Sequence, residues 1–219
     1  NGESQLKELK EDDFFYTEPE FFSMFNFGWL AGDPNTSLKD PNDAVLTLKT
    51  AEKLFNVSPD NYRDAIGKTF KYNNNTLYTV TGILKDIPPN SDFPLSIVVP
   101  YLALRNTSYN TGLNDWTTTR VNAYTFVKLP PELNLQKFNN ELKAFAKRHI
   151  PADDQDQRLV AQPLAEMHSD ARFGNFNNHT FSNHLIDALF LIGVFLISIA
   201  CANFINLATA QGSNRSKEI

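Results

Sequence analysis

Residues 185–210 read LIDALFLIGVFLISIACANFINLATA, and this stretch decides the architecture of the 219-residue chain. No charged side chain occurs between Asp187 and Arg215. A helix of about 20 apolar residues, rising roughly 1.5 Å per residue, spans the hydrocarbon core of a bilayer. Large apolar side chains would lie on every face of this helix, which favours lipid over the alternative of a buried helix in a soluble domain.

The charges that flank this stretch predict its orientation. Asp187 precedes the apolar part, whereas Arg215 and Lys217 follow it closely. Basic residues favour the cytoplasmic side, so both are candidate cytoplasmic anchors. The abrupt end after them, and the start at Asn1, indicate a piece of a longer protein. We therefore expect an extracytoplasmic domain over 1–184, a transmembrane helix over 185–210 and the start of a cytoplasmic segment over 211–219.

Two amides near the cytoplasmic end of the apolar stretch are candidates for helix packing. Asn203 and Asn206 are three positions apart and would share one helix face. Inside a bundle such amides hydrogen-bond across helices. They would also suit the level of the membrane at which water begins, and the sequence leaves both interpretations open.

Composition excludes several classes of protein. The net charge is −5 and no basic cluster is visible, so nucleic acid is not an expected partner. The single cysteine, Cys201, lies inside the apolar stretch. The preceding domain therefore contains no disulfide, and zinc-ribbon, redox and cysteine-nucleophile functions are excluded.

The first part of the chain predicts a mixed α+β unit. Thr17 and Glu20 form a capping-box pattern, which predicts a helix whose core-facing aromatic residues are Phe21, Phe22, Phe25 and Trp29. A strand over 43–47, with a helix beginning at Thr47, is followed by a hairpin over 69–72 and 77–84. Another apolar strand is expected over 95–99.

The second part of the chain predicts another α+β arrangement, built around a different helix. Residues 103–120 read as a loop or small inserted subdomain, and 121–129 alternate in the manner of a strand. Apolar residues then mark a helix over 135–149, with a further strand over 158–163. Strand, helix and strand together match half of a ferredoxin-like split βαβ unit. The expected fold is thus α+β with two lobes.

No catalytic or metal-binding constellation is visible, so we expect a non-enzymatic protein without a cofactor. Gly67-Lys68-Thr69 matches the end of a phosphate loop, but the glycine needed upstream is absent and a turn into a hairpin is favoured. His179, His184 and Asp187 lack the spacing of a metal site and suit a polar linker before the membrane.

Several motifs, in order, resemble the MacB/FtsX-type permeases of ABC systems, in the form common among Bacteroidetes. The run 203–210 and the following Arg215-Ser216-Lys217-Glu218-Ile219 resemble the family's second transmembrane helix and the segment after it. Upstream, further segments resemble its periplasmic core domain, namely 21–25 through 32–34, 51–55, 66–68, 80–83 and 86–91, and 162–164 with 167–168 resemble the piece that leads to the second helix.

This resemblance implies a fold and a function. It implies a periplasmic domain with a porter-like α/β lobe and a β-rich lobe inserted at about 93–125. It implies a permease of the bacterial inner membrane that hydrolyses no ATP itself. Such a permease forms a homodimer or heterodimer in the lipid and relays the motion of a separate ABC ATPase, a role termed mechanotransmission.

Export, lipoprotein release and control of cell-wall hydrolases all occur in the family, with a periplasmic adaptor or outer-membrane component in some members. The sequence also leaves open a membrane-anchored extracytoplasmic sensor or ligand-binding domain, which would need a deep pocket. A membrane-tethered hydrolase is a third and weaker alternative, because no catalytic set is visible.

Overall fold

The computed structural model describes residues 14–73, 76–107, 110, 113, 115–116, 123–151, 153, 158–167, 169–170, 173 and 183–215. The chain divides into two compact units, Asn1–Ala161 and Gln162–Ile219. The first unit contains the strands β1 Phe14–Thr17, β2 Trp29–Ala31, β3 Asp43–Thr47, β4 Thr69–Tyr72, β5 Thr76–Leu84 and β6 Ile97–Pro100. Its helices are α1 Glu20–Met24, α2 Leu48–Phe55 and α3 Leu135–His149, with 3₁₀ turns at Tyr62–Ala65 and Tyr101–Asn106. The second unit contains a 3₁₀ turn at Leu164–Glu166 and the long helix α4 Asn183–Arg215.

The six strands form one mixed sheet in the order β1-β6-β3-β5-β2, with β4 also paired to β5. Strands β3 and β5 are parallel neighbours, and α2 lies in the connection between them. Strand β6 pairs antiparallel with β3 and parallel with β1, while β4 runs antiparallel to β5. The predicted α+β class, strand–helix–hairpin unit and strand over 95–99 are therefore confirmed, the last as Ile97–Pro100.

Strand β3 is buried on both faces because each face of the sheet carries its own apolar cluster. Leu46 belongs to the cluster that contains Tyr78 and Val80, whereas its neighbour Val45 belongs to the cluster that contains Phe22. Successive side chains of a strand point to opposite faces, so a continuous apolar run suits a central strand covered on both sides.

A bulge in β5 fixes Gly32-Asp33-Pro34, the Gly-Asp-Pro loop, against the sheet. The register between β3 and β5 shifts between Ala44 and Val45, which leaves Thr81 out of the pairing. The Thr81 hydroxyl donates to the Ser37 carbonyl, and the Ser37 hydroxyl donates to the Thr81 carbonyl at 3.2 Å. The Asp33 amide in turn donates to the Ser37 hydroxyl at 3.0 Å. This reciprocal bonding satisfies polar groups that the bulge removes from the strand ladder.

The N-terminus of α2 is capped by a residue from a different part of the chain. The Lys49 amide donates to Oδ1 of Asp86, which follows β5, at 2.8 Å. Thr47 is the N-cap residue of α2, as predicted, but its side chain accepts no hydrogen bond from the amides of the first turn. Its hydroxyl lies 3.0 Å from that of Thr50 instead. A carboxylate at this end also interacts favourably with the helix dipole.

We expect Asp86→Ala to lower the free energy of unfolding by about 1 kcal/mol, because the Lys49 amide would lose its acceptor. Asp86→Asn keeps an oxygen in the same place and should lose less. Urea denaturation of the two variants, followed by tryptophan fluorescence, measures the difference. Equal losses would contradict the capping role.

The predicted aromatic helix is shorter than its sequence pattern. Helix α1 ends at Met24, and Phe25 is extended with φ −114° and ψ 127°. Trp29 lies in β2 and pairs with Leu84, so its assignment to the helix was wrong. Thr17 lies in β1 and makes no cap on the helix, whose N-cap is Pro19. Pairing with β5 overrides the local helical spacing.

The two strands predicted around α3 are also wrong in the residues that the structure describes. Neither 123–129 nor 158–163 forms a strand. Phe126 packs instead on an aromatic cluster, 5.0 Å from the Phe25 ring and 5.6 Å from the Phe93 ring. The Ala161 amide donates to the Asn139 side chain of α3 at 2.7 Å. Side-chain packing thus replaces strand pairing around this helix.

The inserted lobe predicted at about 93–125 overlaps strand β6. Strand β6 belongs to the central sheet, so an inserted lobe would begin after Pro100. Much of 108–122 lies outside the described residues. The inserted lobe therefore stays a prediction.

Candidate functional site

Helix α4 matches the stretch predicted to cross the membrane. Residues His184–Gln211 form a 28-residue segment, long and apolar enough to span a bilayer, and none of it is buried. At about 1.5 Å per residue the segment exceeds the roughly 30 Å of a hydrocarbon core. A helix with this much exposed apolar surface suits lipid as its surroundings.

Two hydroxyl groups on α4 are bonded within the helix. Ser198 donates to the Val194 carbonyl and Thr209 donates to the Ile205 carbonyl, each at 2.8 Å. Such bonds remove the cost of placing a hydroxyl in hydrocarbon. The predicted packing residues, Asn203 and Asn206, project from one face of the same helix and are exposed. Each amide group carries two N–H donors and one acceptor oxygen.

The two predicted anchors fall at the end of the described chain. Arg215 is the last residue of α4, and its side chain is outside the description. Lys217 lies outside the described residues altogether. Helix α4 therefore extends to Arg215, the first of the two predicted anchors.

The sequence pattern that partly matches a phosphate loop has a structural role. Gly67-Lys68-Thr69 leads directly into β4, where the Gly67 amide donates to the Val80 carbonyl at 2.8 Å and the Val80 amide donates to the Lys68 carbonyl at 2.9 Å. The favoured interpretation, a turn into a hairpin, is confirmed. Within the described residues no group of three or more potential ligands could hold a metal ion; His184 and Asp187 lie on α4, and His179 is not described.

Packing explains the two shifted pKa values found among the described residues. Burial raises the pKa of Asp43, while backbone amides of Asp40 and Lys39 oppose the shift and the Asp40 carboxylate reinforces it. The Asp40 amide donates to Asp43 Oδ2 at 2.8 Å at the start of β3. Burial likewise raises the pKa of Tyr78, opposed by a hydrogen bond with Tyr16.

Tyr78 belongs to an aromatic bridge between distant parts of the sheet. The rings of Phe14 in β1 and Tyr72 in β4 stack with centroids 3.9 Å apart, and the Phe14 and Tyr78 centroids are 5.9 Å apart. Strands β1 and β5 are separated by two other strands in the sheet order. Phe14 and Tyr72 therefore pack with Tyr78 in one apolar cluster on the same face of the sheet.

We expect the stability of the chain to fall as the pH rises above about 10, the ordinary pKa of tyrosine. Tyr78 has a raised pKa in the folded state, so it stays protonated there while it ionises in the unfolded state. Tyr78→Phe should weaken this alkaline fall. Urea midpoints at pH 8 and pH 11 measure it, and an unchanged fall in the variant would assign the effect to other groups.

Helix α3 carries a feature that the sequence reading missed. Its outer side exposes Lys137, Lys143, Lys147 and Arg148. At about 100° per residue these positions fall within an arc of roughly 140°, opposite the half-buried apolar face. Only Lys147 and Arg148 are adjacent in the chain, so no longer basic run is visible. A helical projection of 135–149 would have found them.

Comparisons with known proteins give a family match over more than half of the chain. The family model described as MacB-like periplasmic core domain matches residues 3–145. No curated protein sequence matches the chain. A domain of a protein assigned as a permease from Porphyromonas gingivalis has a similar structure, with a TM-score of 0.47, 18% identity and 70% of each chain covered. The periplasmic region of MacB from Actinobacillus actinomycetemcomitans gives a TM-score of 0.42 and 14% identity, covering 62% of this chain and 56% of its own.

Proposed function

Since the chain belongs to the MacB-like periplasmic core domain family, we propose that it is part of the permease subunit of an ABC transporter. The observation that carries the proposal is a family match over 3–145 followed by an exposed apolar helix able to span a bilayer. Such a permease would act through conformational motion and not through catalysis. The permease would relay the motion of an ATPase to the periplasm and drive the export or release of a substrate.

The proposed topology follows from the charges around α4. Residues 1–184 would lie in the periplasm, 185–210 in the inner membrane and 211–219 at the cytoplasmic surface. Arg215 and Lys217 would hold the cytoplasmic end of the helix among lipid headgroups, because basic residues are retained on that side. Membrane lipid is thus a partner of the chain.

Asn203 and Asn206 would pack against another transmembrane helix of a permease homodimer or heterodimer. Amides in a membrane gain most when they bond across helices, since lipid offers no partners. Their position near the cytoplasmic end of α4 would place this contact close to the ATPase. A periplasmic adaptor or outer-membrane component would complete the assembly in a system that exports.

Purification of the full-length protein from membranes in mild detergent, with mass spectrometry of the co-purifying chains, tests the proposal. We expect an ABC ATPase subunit to be recovered, and the permease without it to hydrolyse no ATP. Recovery of a kinase or a transcriptional regulator without an ATPase would contradict the proposal. That result would favour the membrane-anchored sensor instead.

A further inference from the structure

We propose that Phe126 is a releasable anchor, and that its withdrawal allows α3 to move while the sheet stays folded. Phe126 lies in a segment without helix or strand, 123–129, which we call the strap. The strap leads into α3 through 130–134, and all of these residues belong to the first compact unit. The inference goes beyond the proposed function and does not depend on the membrane-spanning role of α4.

The ring of Phe126 packs on three other rings, those of Phe21, Phe25 and Phe93, which we call the aromatic socket. Its centroid lies 6.4, 5.0 and 5.6 Å from theirs, and it meets Phe25 and Phe93 edge to face, a favourable geometry for ring pairs. The socket rings lie 4.8 to 5.5 Å from one another. Phe21 and Phe93 also pack against the buried cluster that contains Val45. The socket therefore belongs to the sheet side of the unit and should persist without Phe126.

The backbone of the strap is held less firmly than a strand would be. Several of its residues make no hydrogen bond in the part of the chain that the structure describes: Ala123, Thr125, Val127, Lys128 and Leu129. A paired strand of this length would gain a ladder of backbone bonds. Segments with few such bonds open at a lower free energy than the core of the same protein.

Helix α3 makes its polar and ring contacts away from the sheet. The Asn139 side chain accepts from the Ala161 amide at 2.7 Å, and the Trp116 ring lies 5.4 Å from Phe145 and 4.9 Å from His149. Among the described residues no hydrogen bond, salt bridge or ring contact joins α3 to a strand. Its apolar side chains belong to neither of the buried clusters that cover the sheet. We call α3, Trp116 and Ala161 together the α3 module.

Phe126 thus joins the segment that leads into α3 to a socket fixed on the sheet. Apolar contact between rings is not directional in the way that strand pairing is, so the ring can leave and return without rearranging a ladder. The released state would be a minor conformation in equilibrium with the anchored one. In that state the α3 module could change its position while both buried clusters of the sheet stay intact.

Trypsin cleavage of the full-length protein in detergent tests the proposal, because Lys128 is an exposed cleavage site within the strap. Its cleavage rate, followed by mass spectrometry, reports the population of the released strap when opening and closing are faster than proteolysis. Lys143 in α3 and Lys71 in β4 report unfolding of the helix and of the sheet. We expect Phe126→Ala to raise the rate at Lys128 about tenfold and to leave the other two rates unchanged, because it removes only the contacts of one half-buried ring.

Two further variants make the assignment specific. Val127→Ala alters the next residue of the strap, which is 53% exposed, and should leave the rate at Lys128 unchanged. Phe126→Leu keeps an apolar side chain without an aromatic edge and should raise that rate about threefold. Equal rates at Lys128 in Phe126→Ala and Val127→Ala would overturn the role of Phe126 as an anchor.

The wild-type protein gives an independent measurement. Urea promotes an opening in proportion to the surface that the opening exposes. Release of the strap exposes little surface, so below the unfolding transition the cleavage rate at Lys128 should rise much less steeply with urea than the rate at Lys71. Equal slopes at the two sites would show that the strap opens only when the sheet unfolds, and would overturn the proposal.

The internal sites distinguish release from unfolding in the Phe126→Ala variant. A rate at Lys143 that rises together with the rate at Lys128 would mean that α3 unfolds instead of moving as a body, which contradicts the proposal. A rate at Lys71 that rises as well would make Phe126 part of the core of the sheet, with the same consequence. Neither result would bear on the permease function.

Discussion

A Gly32→Ala variant is expected to lose about 3 kcal/mol of its free energy of unfolding, from a left-handed backbone penalty and a steric overlap together. Gly32 has φ +88°, a conformation that side chains with a Cβ rarely adopt. An added Cβ would lie 2.7 Å from the Thr81 carbonyl oxygen and 2.8 Å from the Gly82 Cα. Both are backbone atoms at the bulge in β5, so neither can rotate away.

Gly67→Ala is the matched control for this prediction. Gly67 also has a positive φ, +79°, but an added Cβ would meet nothing within 4 Å. Its loss should therefore be limited to the backbone penalty of about 1 kcal/mol. Urea denaturation of both variants measures the difference. Equal losses would show that the Gly-Asp-Pro loop can move off the bulge and that the close approach is not needed for stability.

An Ile197→Lys variant is expected to fail to insert into the membrane, because a lysine at the centre of a spanning helix costs about 3 kcal/mol. Ile197 lies midway along the apolar segment His184–Gln211, and 66% of its surface is exposed. No described residue offers a partner to a charge at that depth. The fraction of full-length chain that resists extraction with alkaline carbonate measures insertion.

Gln211→Lys, at the end of the same segment, is the control for insertion. A lysine there would reach the headgroups with its flexible side chain and should change little. If both variants remained in the membrane fraction equally, α4 would not cross the bilayer at the predicted depth.

The parts of the fold that the sequence predicted are those in which local and tertiary preferences agree. The strand Asp43–Thr47 and the hairpin around β4 and β5 bury the apolar residues that their patterns mark, and the apolar run of α4 forms one continuous helix. Trp29 shows the opposite case: its helical spacing is real, but pairing with Leu84 across β2 and β5 outweighs it. The strand predicted from the alternation over 121–129 is wrong for a similar reason. Phe126 is held by packing against other rings and not by strand pairing.

The same distinction applies to individual residues: some could be found in the sequence, and others only in the folded structure. Asn203 and Asn206 could be found in sequence because they interrupt an apolar run. The cations of α3 are up to eleven positions apart, and only a helical projection of the predicted helix 135–149 would have grouped them. The N-cap on α2 was equally hidden, since Asp86 is distant from Lys49 in the chain and the two meet only after the sheet forms.

The pairing of β1 has a consequence for how the chain is made. Phe14 aligns with Ile97, so the N-terminal strand must wait for a partner synthesised about 80 residues later. Its ring contact with Tyr72 also needs the completed hairpin. Such distant pairings form slowly. The first hundred residues would therefore emerge with an apolar sheet edge uncovered, and a chaperone that shields this edge during synthesis should raise the yield of folded protein.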